Sequence, residues 1–127
     1  MNQEKFDRVV KAINQYEGVE EVFLLSPEGE ILFKSNEFPL TETEAKELLV
    51  SWKEKKPSIS YQGVRFAILK NDDIQLAAKN ITSGQGNLAG SITNEGDYLV
   101  IHTASETGLI LLEWSIFVNK VAWDQLD

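Results

Sequence analysis

Residues 18–35 read GVEEVFLLSPEGEILFKS. From Val19 to Leu25 the run is largely apolar and β-branched, which suits an extended strand. Ser26-Pro27-Glu28-Gly29 then places Pro second and Gly fourth in a four-residue turn, the pattern of type I. Ile31-Leu32-Phe33 resumes the apolar run. The stretch predicts a β-hairpin that pairs 20–26 with 30–35. A hairpin of this kind starts an antiparallel sheet, and the segments around it must supply the cover.

On the N-terminal side, Phe6, Val9, Val10, Ile13 and Tyr16 recur at helical spacing. They predict an amphipathic helix over 2–16 that Gly18 ends. On the other side, Phe38-Pro39 breaks the chain and Thr41-Glu42-Thr43-Glu44 forms a capping box. Ala45, Leu48, Leu49 and Trp52 then line one face of a short helix over 42–55. Lys53, Lys55 and Lys56 complement its dipole, and Pro57 stops it. Ile59, Tyr61, Val64, Phe66, Ile68 and Leu69 predict a strand over 59–70. Asn71-Asp72-Asp73 turns the chain, and 74–81 and 88–93 add shorter strands on either side of a Ser83–Asn87 loop. Asn94-Glu95-Gly96-Asp97 is a further turn, and Tyr98–Thr103 a strong strand. Ser105 is placed to cap a last helix over 106–123, whose apolar residues cover nearly the whole circumference. Such a helix must be covered on most sides, and one sheet face plus one neighbouring helix leaves part of it to meet something else. The order α-β-β-α-β-β-(β)-β-α, in which 88–93 is the optional strand, predicts an α+β architecture over 1–127 as one domain, with helices packed on an antiparallel sheet of five or six strands.

Composition narrows the chemistry. The 127 residues include no Cys and a single His, His102. Disulfides, thiolate metal sites, cysteine nucleophiles and multi-histidine metal sites are thereby excluded. The net charge of −8, from 12 basic and 20 acidic residues, disfavours nucleic acid and anionic membrane surfaces. The apolar-dense stretch 108–123 is interrupted by Glu113, Asn119 and Lys120, so no membrane insertion is expected. The opening Met1-Asn2-Gln3-Glu4-Lys5 has no apolar run of signal-peptide length, and the expected location is the cytoplasm.

Each chemical motif has a plainer reading. Ser83-Gly84-Gln85-Gly86 resembles a phosphate loop but lacks a following Lys, so it reads as a hairpin loop. Asp72-Asp73 sits where a turn favours Asn or Asp and has no further calcium ligands at the required positions. Glu20-Glu21, Glu28/Glu30 and Glu95/Asp97 fall in turns and at strand ends, where solvation accounts for them. Asn80-Ile81-Thr82 matches a glycosylation acceptor without a secretory signal to go with it. His102 near the end of its strand reads as half-buried and hydrogen-bonded. No catalytic set, metal site or cofactor is expected, and the protein is read as non-enzymatic. Trp52 and Trp114 suit a core or an interface equally, and Trp123 in the final turn is expected to be only partly covered.

Three segments together resemble the roadblock/LC7 family of dynein light chain type. Gly18-Val19-Glu20-Glu21 with the turn at Glu28-Gly29 is similar to its first hairpin, Gly96-Asp97-Tyr98-Leu99-Val100-Ile101 to its last strand, and Ser105-Glu106-Thr107-Gly108-Leu109 to the opening of its terminal helix. The 71–97 stretch is longer than the family pattern, and Ile110 and Leu111 stand where bacterial regulators of the family carry a basic residue.

The resemblance implies a roadblock/profilin-like sheet of five strands, with the first and last helices on one face and the middle helix on the other. It also implies a homodimeric, non-enzymatic scaffold that binds a protein partner such as a small Ras-like GTPase or a larger assembly. The dimer interface would use the middle-helix stripe, Ala45, Leu48, Leu49 and Trp52, and the third strand, Val64, Phe66 and Ile68. An exposed edge strand is a pairing surface, and a two-fold axis would bury both elements at once. Trp114 and Trp123 would form the partner surface. The alternative is a small-molecule-binding sensor domain of profilin-like or PAS-like type, with a ligand held between sheet and helices.

Overall fold

The structure, a computed structural model, describes residues 1–123. The hairpin at 18–35 forms. β1 (Val19–Leu25) pairs antiparallel with β2 (Ile31–Lys34), with Phe23 opposite Lys34 and Leu24 opposite Phe33. The Ser26 amide donates to the Glu30 carbonyl (2.9 Å) and the Gly29 amide to the Ser26 carbonyl (3.0 Å), which closes the turn. α1 (Gln3–Ile13) precedes the hairpin and α2 (Glu42–Lys53) follows it. β3 (Ser58–Tyr61), β4 (Val64–Asn71), β5 (Gln75–Lys79), β6 (Asn87–Ile92), β7 (Tyr98–Thr103) and α3 (Leu111–Ala122) complete the order.

The sheet has seven strands rather than five or six, in the order β2-β1-β7-β6-β5-β4-β3, all antiparallel. The difference lies first in the segment read as one strand over 59–70. That segment is a hairpin, with Ile59 opposite Phe66 and Tyr61 opposite Val64. Gln62 and Gly63 form its turn with φ of 49° and 78°. Two consecutive left-handed residues are the geometry that matches strand twist in a two-residue hairpin, and Gly63 adopts it without strain. The apolar run on both sides of Gln62-Gly63 hides the break.

The helix ends also move. Asn2 caps α1 by accepting the Lys5 amide (2.8 Å), and Thr41 caps α2 by accepting the Glu44 amide (3.1 Å). Glu44 does not complete the capping box, because its carboxylate accepts the Gln62 amide instead (2.9 Å). α3 begins at Leu111 and not at 106. Thr107 is committed elsewhere: its hydroxyl accepts the indole N–H of Trp114 (2.9 Å) and donates to the Leu109 carbonyl. Ser105 therefore caps nothing, and Glu113 takes up the Ile110 amide at the helix start (2.9 Å).

Two cores flank the sheet. On one face α2 buries Ala45, Leu48, Leu49 and Trp52 against Phe23, Ile59, Tyr61, Phe66, Leu88 and Val100. On the other, α1 and α3 bury Phe6, Val9, Ile13, Trp114 and Val118 against Val22, Leu24, Leu99 and Ile101. The layering of two helices on one face and one on the other is the one that the family resemblance implied. The Trp52 ring lies across β6 so closely that a Cβ on Gly90 would stand 2.8 Å from its Cη2.

Gly90→Ala therefore forces that buried ring to shift and is expected to cost about 1–3 kcal/mol in a denaturant titration. Leu48→Asp places an unpaired carboxylate in the α2 core and is expected to cost several kcal/mol, read as loss of the cooperative unfolding transition. Retention of a wild-type midpoint by either variant would contradict this packing.

Candidate functional site

α3 is apolar on nearly every side, and its neighbours take up only part of it. Trp114, Val118, Val121 and Ala122 are buried against the sheet and α1. Tyr16 at the end of the α1 segment packs edge-on against Trp114 (6.0 Å) and Phe117 (5.1 Å). Polar side chains fasten the flank over the sheet. Ser115 donates to Gln75 Oε1 (3.2 Å), Asn119 donates to Ser91 Oγ (2.9 Å), and Lys70 also reaches Gln75 Oε1 (3.0 Å). Leu112 and Ile116, one turn apart beside Ser115 and Asn119, stay 51% and 60% exposed. Leu69 on β4 is 61% exposed. It sits at an irregularity where the register slips between Ile68 and Lys70, the mark of a bulge. Leu112 and Ile116 form an exposed apolar stretch along the outer side of α3, with Lys120 one turn beyond Ile116. Contiguous exposed apolar residues ringed by polar ones mark interaction surfaces.

The residues assigned to a dimer interface lie elsewhere. Ala45, Leu48, Leu49, Trp52 and Phe66 are inside the α2 core, and Val64 and Ile68 pack against it half-buried. Their apolar surface is spent within one chain. Of the two tryptophans assigned to a partner surface, Trp114 is fully buried and Trp123 is 41% exposed. The Trp123 indole donates to the Ile92 carbonyl (2.8 Å).

His102 is half-buried and hydrogen-bonded, as the sequence suggested. Its Nδ1 lies 3.0 Å from Glu21 Oε1 and its Nε2 2.8 Å from the Gln85 carbonyl. Tyr61 donates to the same Glu21 oxygen (2.7 Å), and Gln62 donates to the Tyr61 hydroxyl (3.1 Å). Burial first, then the hydrogen bond to Glu21 and that residue's charge, push the Tyr61 phenol well above its ordinary range. The group ties β1, β3, β7 and the 81–86 loop together beside a cavity of 90 Å³. Its members satisfy one another, which is a structural clamp.

The other motifs resolve as turns. Asp72 Oδ1 accepts the amides of Ile74 (2.8 Å) and Gln75 (2.7 Å), and these bonds, the one from Gln75 foremost, hold its carboxyl below the usual range. Asn80 Oδ1 accepts the amides of Ser83 (2.9 Å) and Gln85 (3.1 Å) and so organises the glycine loop. Among the described residues no group of three or more His, Cys, Asp or Glu could hold a metal ion. Among them also, no helix is long and apolar enough to cross a membrane.

No family model matches the chain. It is 65% identical over 123 residues to Loki profilin-3 of Lokiarchaeum sp. (strain GC14_75), covering 97% of this chain and 99% of that protein. Among solved structures it resembles LokiProfilin1 in complex with rabbit actin (TM-score 0.79, 18% identity, covering 96% of this chain and 93% of that one). It likewise resembles LokiProfilin2 in complex with rabbit actin (TM-score 0.78, 17% identity, covering 96% and 95%). A roadblock/LC7 domain from Streptomyces avermitilis matches with a TM-score of only 0.51 at 12% identity, covering 91% and 88%. These findings overturn the roadblock/LC7 assignment, and with it the homodimeric scaffold and the small GTPase as partner. The small-molecule sensor gains no support from them either. The chain belongs to the profilin family.

Proposed function

We propose that this protein is a non-enzymatic, cytoplasmic actin-binding protein, acting as one domain over 1–127. The observation that carries the reading is its 65% identity to a profilin. Two further profilins, solved in complex with actin, share its fold over 96% of its length.

The apolar patch on the α3 side supports a docking surface for that partner. Leu112 and Ile116 project from a helix whose opposite side is anchored in the core, so they are presented on a rigid element. Apolar anchors at the centre of an interface, surrounded by polar groups that exclude water, are where binding energy concentrates. Lys120, one turn beyond Ile116, supplies part of that polar surround. The patch also gives the unburied side of α3 something to meet.

Titration of fluorescently labelled monomeric actin is expected to show saturable binding by the wild-type chain. Absence of binding at high micromolar concentrations would overturn the reading. Ile116→Asp, at an exposed position, should leave the unfolding midpoint nearly unchanged and weaken binding roughly 10–100-fold, the range of a lost hot-spot residue. Val50→Asp on the outer face of α2 is the matched control and should bind like wild type. If both variants bind equally, the contact lies away from α3.

A further inference from the structure

We propose that the recess between the C-terminal end of α2, the β4–β5 turn and the start of β7 is an anchoring site for an acidic side chain, carboxylate or phosphorylated, of a second protein partner. It lies on the α2 face of the sheet, across the sheet from α3, and is independent of the actin surface.

Two buried aromatic residues make the floor. Trp52 is 3% exposed and Tyr98 is 9% exposed, and they pack edge to face with ring centroids 5.0 Å apart. The six-membered ring of Trp52 faces Gly90, which leaves its pyrrole N–H at the opposite end. Among the described residues neither the Trp52 N–H nor the Tyr98 hydroxyl has a hydrogen-bond partner. Buried Trp and Tyr normally find one for their polar ends. Neither atom is sealed in the interior, and both residues line a cavity of 170 Å³. Burial pushes the Tyr98 phenol up from its ordinary range, so the hydroxyl keeps its proton and can donate.

Two cations complete the donor set. Lys53 Nζ lies 5.4 Å from the centre of the Tyr98 ring and donates to the Pro27 carbonyl (2.5 Å), which leaves two further N–H groups. Lys55 stands at the rim, 3.6 Å from Asp73. Two acids, Asp72 and Asp73, also stand at the rim, and Asp73 is the partner of Lys55. Asp72 Oδ1 holds the turn amides of Ile74 and Gln75, and Asp73 is almost fully exposed. The recess therefore offers an indole N–H, a phenol O–H and an ammonium, beside one buried acceptor without a partner, Asn71 Oδ1, whose amide donates to the Trp52 carbonyl (2.8 Å). The three donors match an oxyanion, whose charge strengthens each bond.

The size selects the kind of guest. Small-molecule and cofactor sites run to roughly 300–1,000 Å³. A cavity of about 150 Å³ accepts a benzene-sized group. One side chain fits the recess, and the rest of a partner would lie across the surface between Lys53 and Asp73.

The test follows the Trp52 indole N–H by two-dimensional NMR during titration with N-acetylglutamate N-methylamide, the equivalent blocked phosphoserine and the blocked glutamine analogue. The expected result is a saturable shift of the Trp52 signal with one or both acidic ligands and none with glutamine. The Trp114 indole, bonded to Thr107, should stay still and report an intact fold. Tyr98→Phe keeps the ring and Lys53→Gln keeps the length of the side chain, and each should weaken binding about tenfold. A response to glutamate alone assigns a carboxylate guest, and a response to phosphoserine alone a phosphorylated one. No saturable shift with either acid, an equal response to glutamine, or unchanged affinity in both variants would overturn the proposal.

Discussion

The two-sided burial of the central strands is the constraint from which the rest of the molecule follows. Along β1, Val22 and Leu24 enter the core under α1 and α3, while Phe23 and Leu25 enter the core under α2. Along β7, Leu99 and Ile101 go one way and Tyr98 and Val100 the other. A sheet apolar on both faces must be covered on both. Two helices cover one face and one helix covers the other. α3 covers β5, β6 and β7 and leaves its outer flank in solvent. That unburied flank is the surface on which docking is proposed.

Much of this was legible in the residues. The 18–35 hairpin, the amphipathic α1, the Thr41 cap of α2 and the turns at 71–73 and 94–97 carry local signals strong enough to survive folding. The Gln62-Gly63 turn was obscured because apolar residues continue at the same period on either side of it. The start of α3 was obscured because the Thr107 hydroxyl, inside the span read as helix, answers to Trp114, seven residues further on. Long-range partners of this kind leave no trace in local pattern.

The stripe Ala45, Leu48, Leu49 and Trp52 shows a second limit. A single apolar helix face says that something covers it, but not whether the cover is the same chain or another. Trp52 decides the matter by lying on Gly90, a residue 38 positions away that carries no apolar signal of its own. The family assignment failed for a related reason. Both kinds of fold wrap an antiparallel sheet with terminal helices on one face and a middle helix on the other, so the first hairpin and last strand look alike in each. The residues proposed for docking were visible only in outline, as the expectation that part of the last helix should meet something else. Leu69, placed outward by a slip in strand register, had no sequence mark at all.

The edges of the sheet carry a consequence for solubility. β2 and β3, the outermost strands, are only four residues long. α2 packs over β3, and its Glu44 takes the first amide beyond that strand. Short, partly shielded rims give a neighbouring molecule little backbone to pair with. Strand pairing between molecules is thereby disfavoured at both rims, although the sheet is wide.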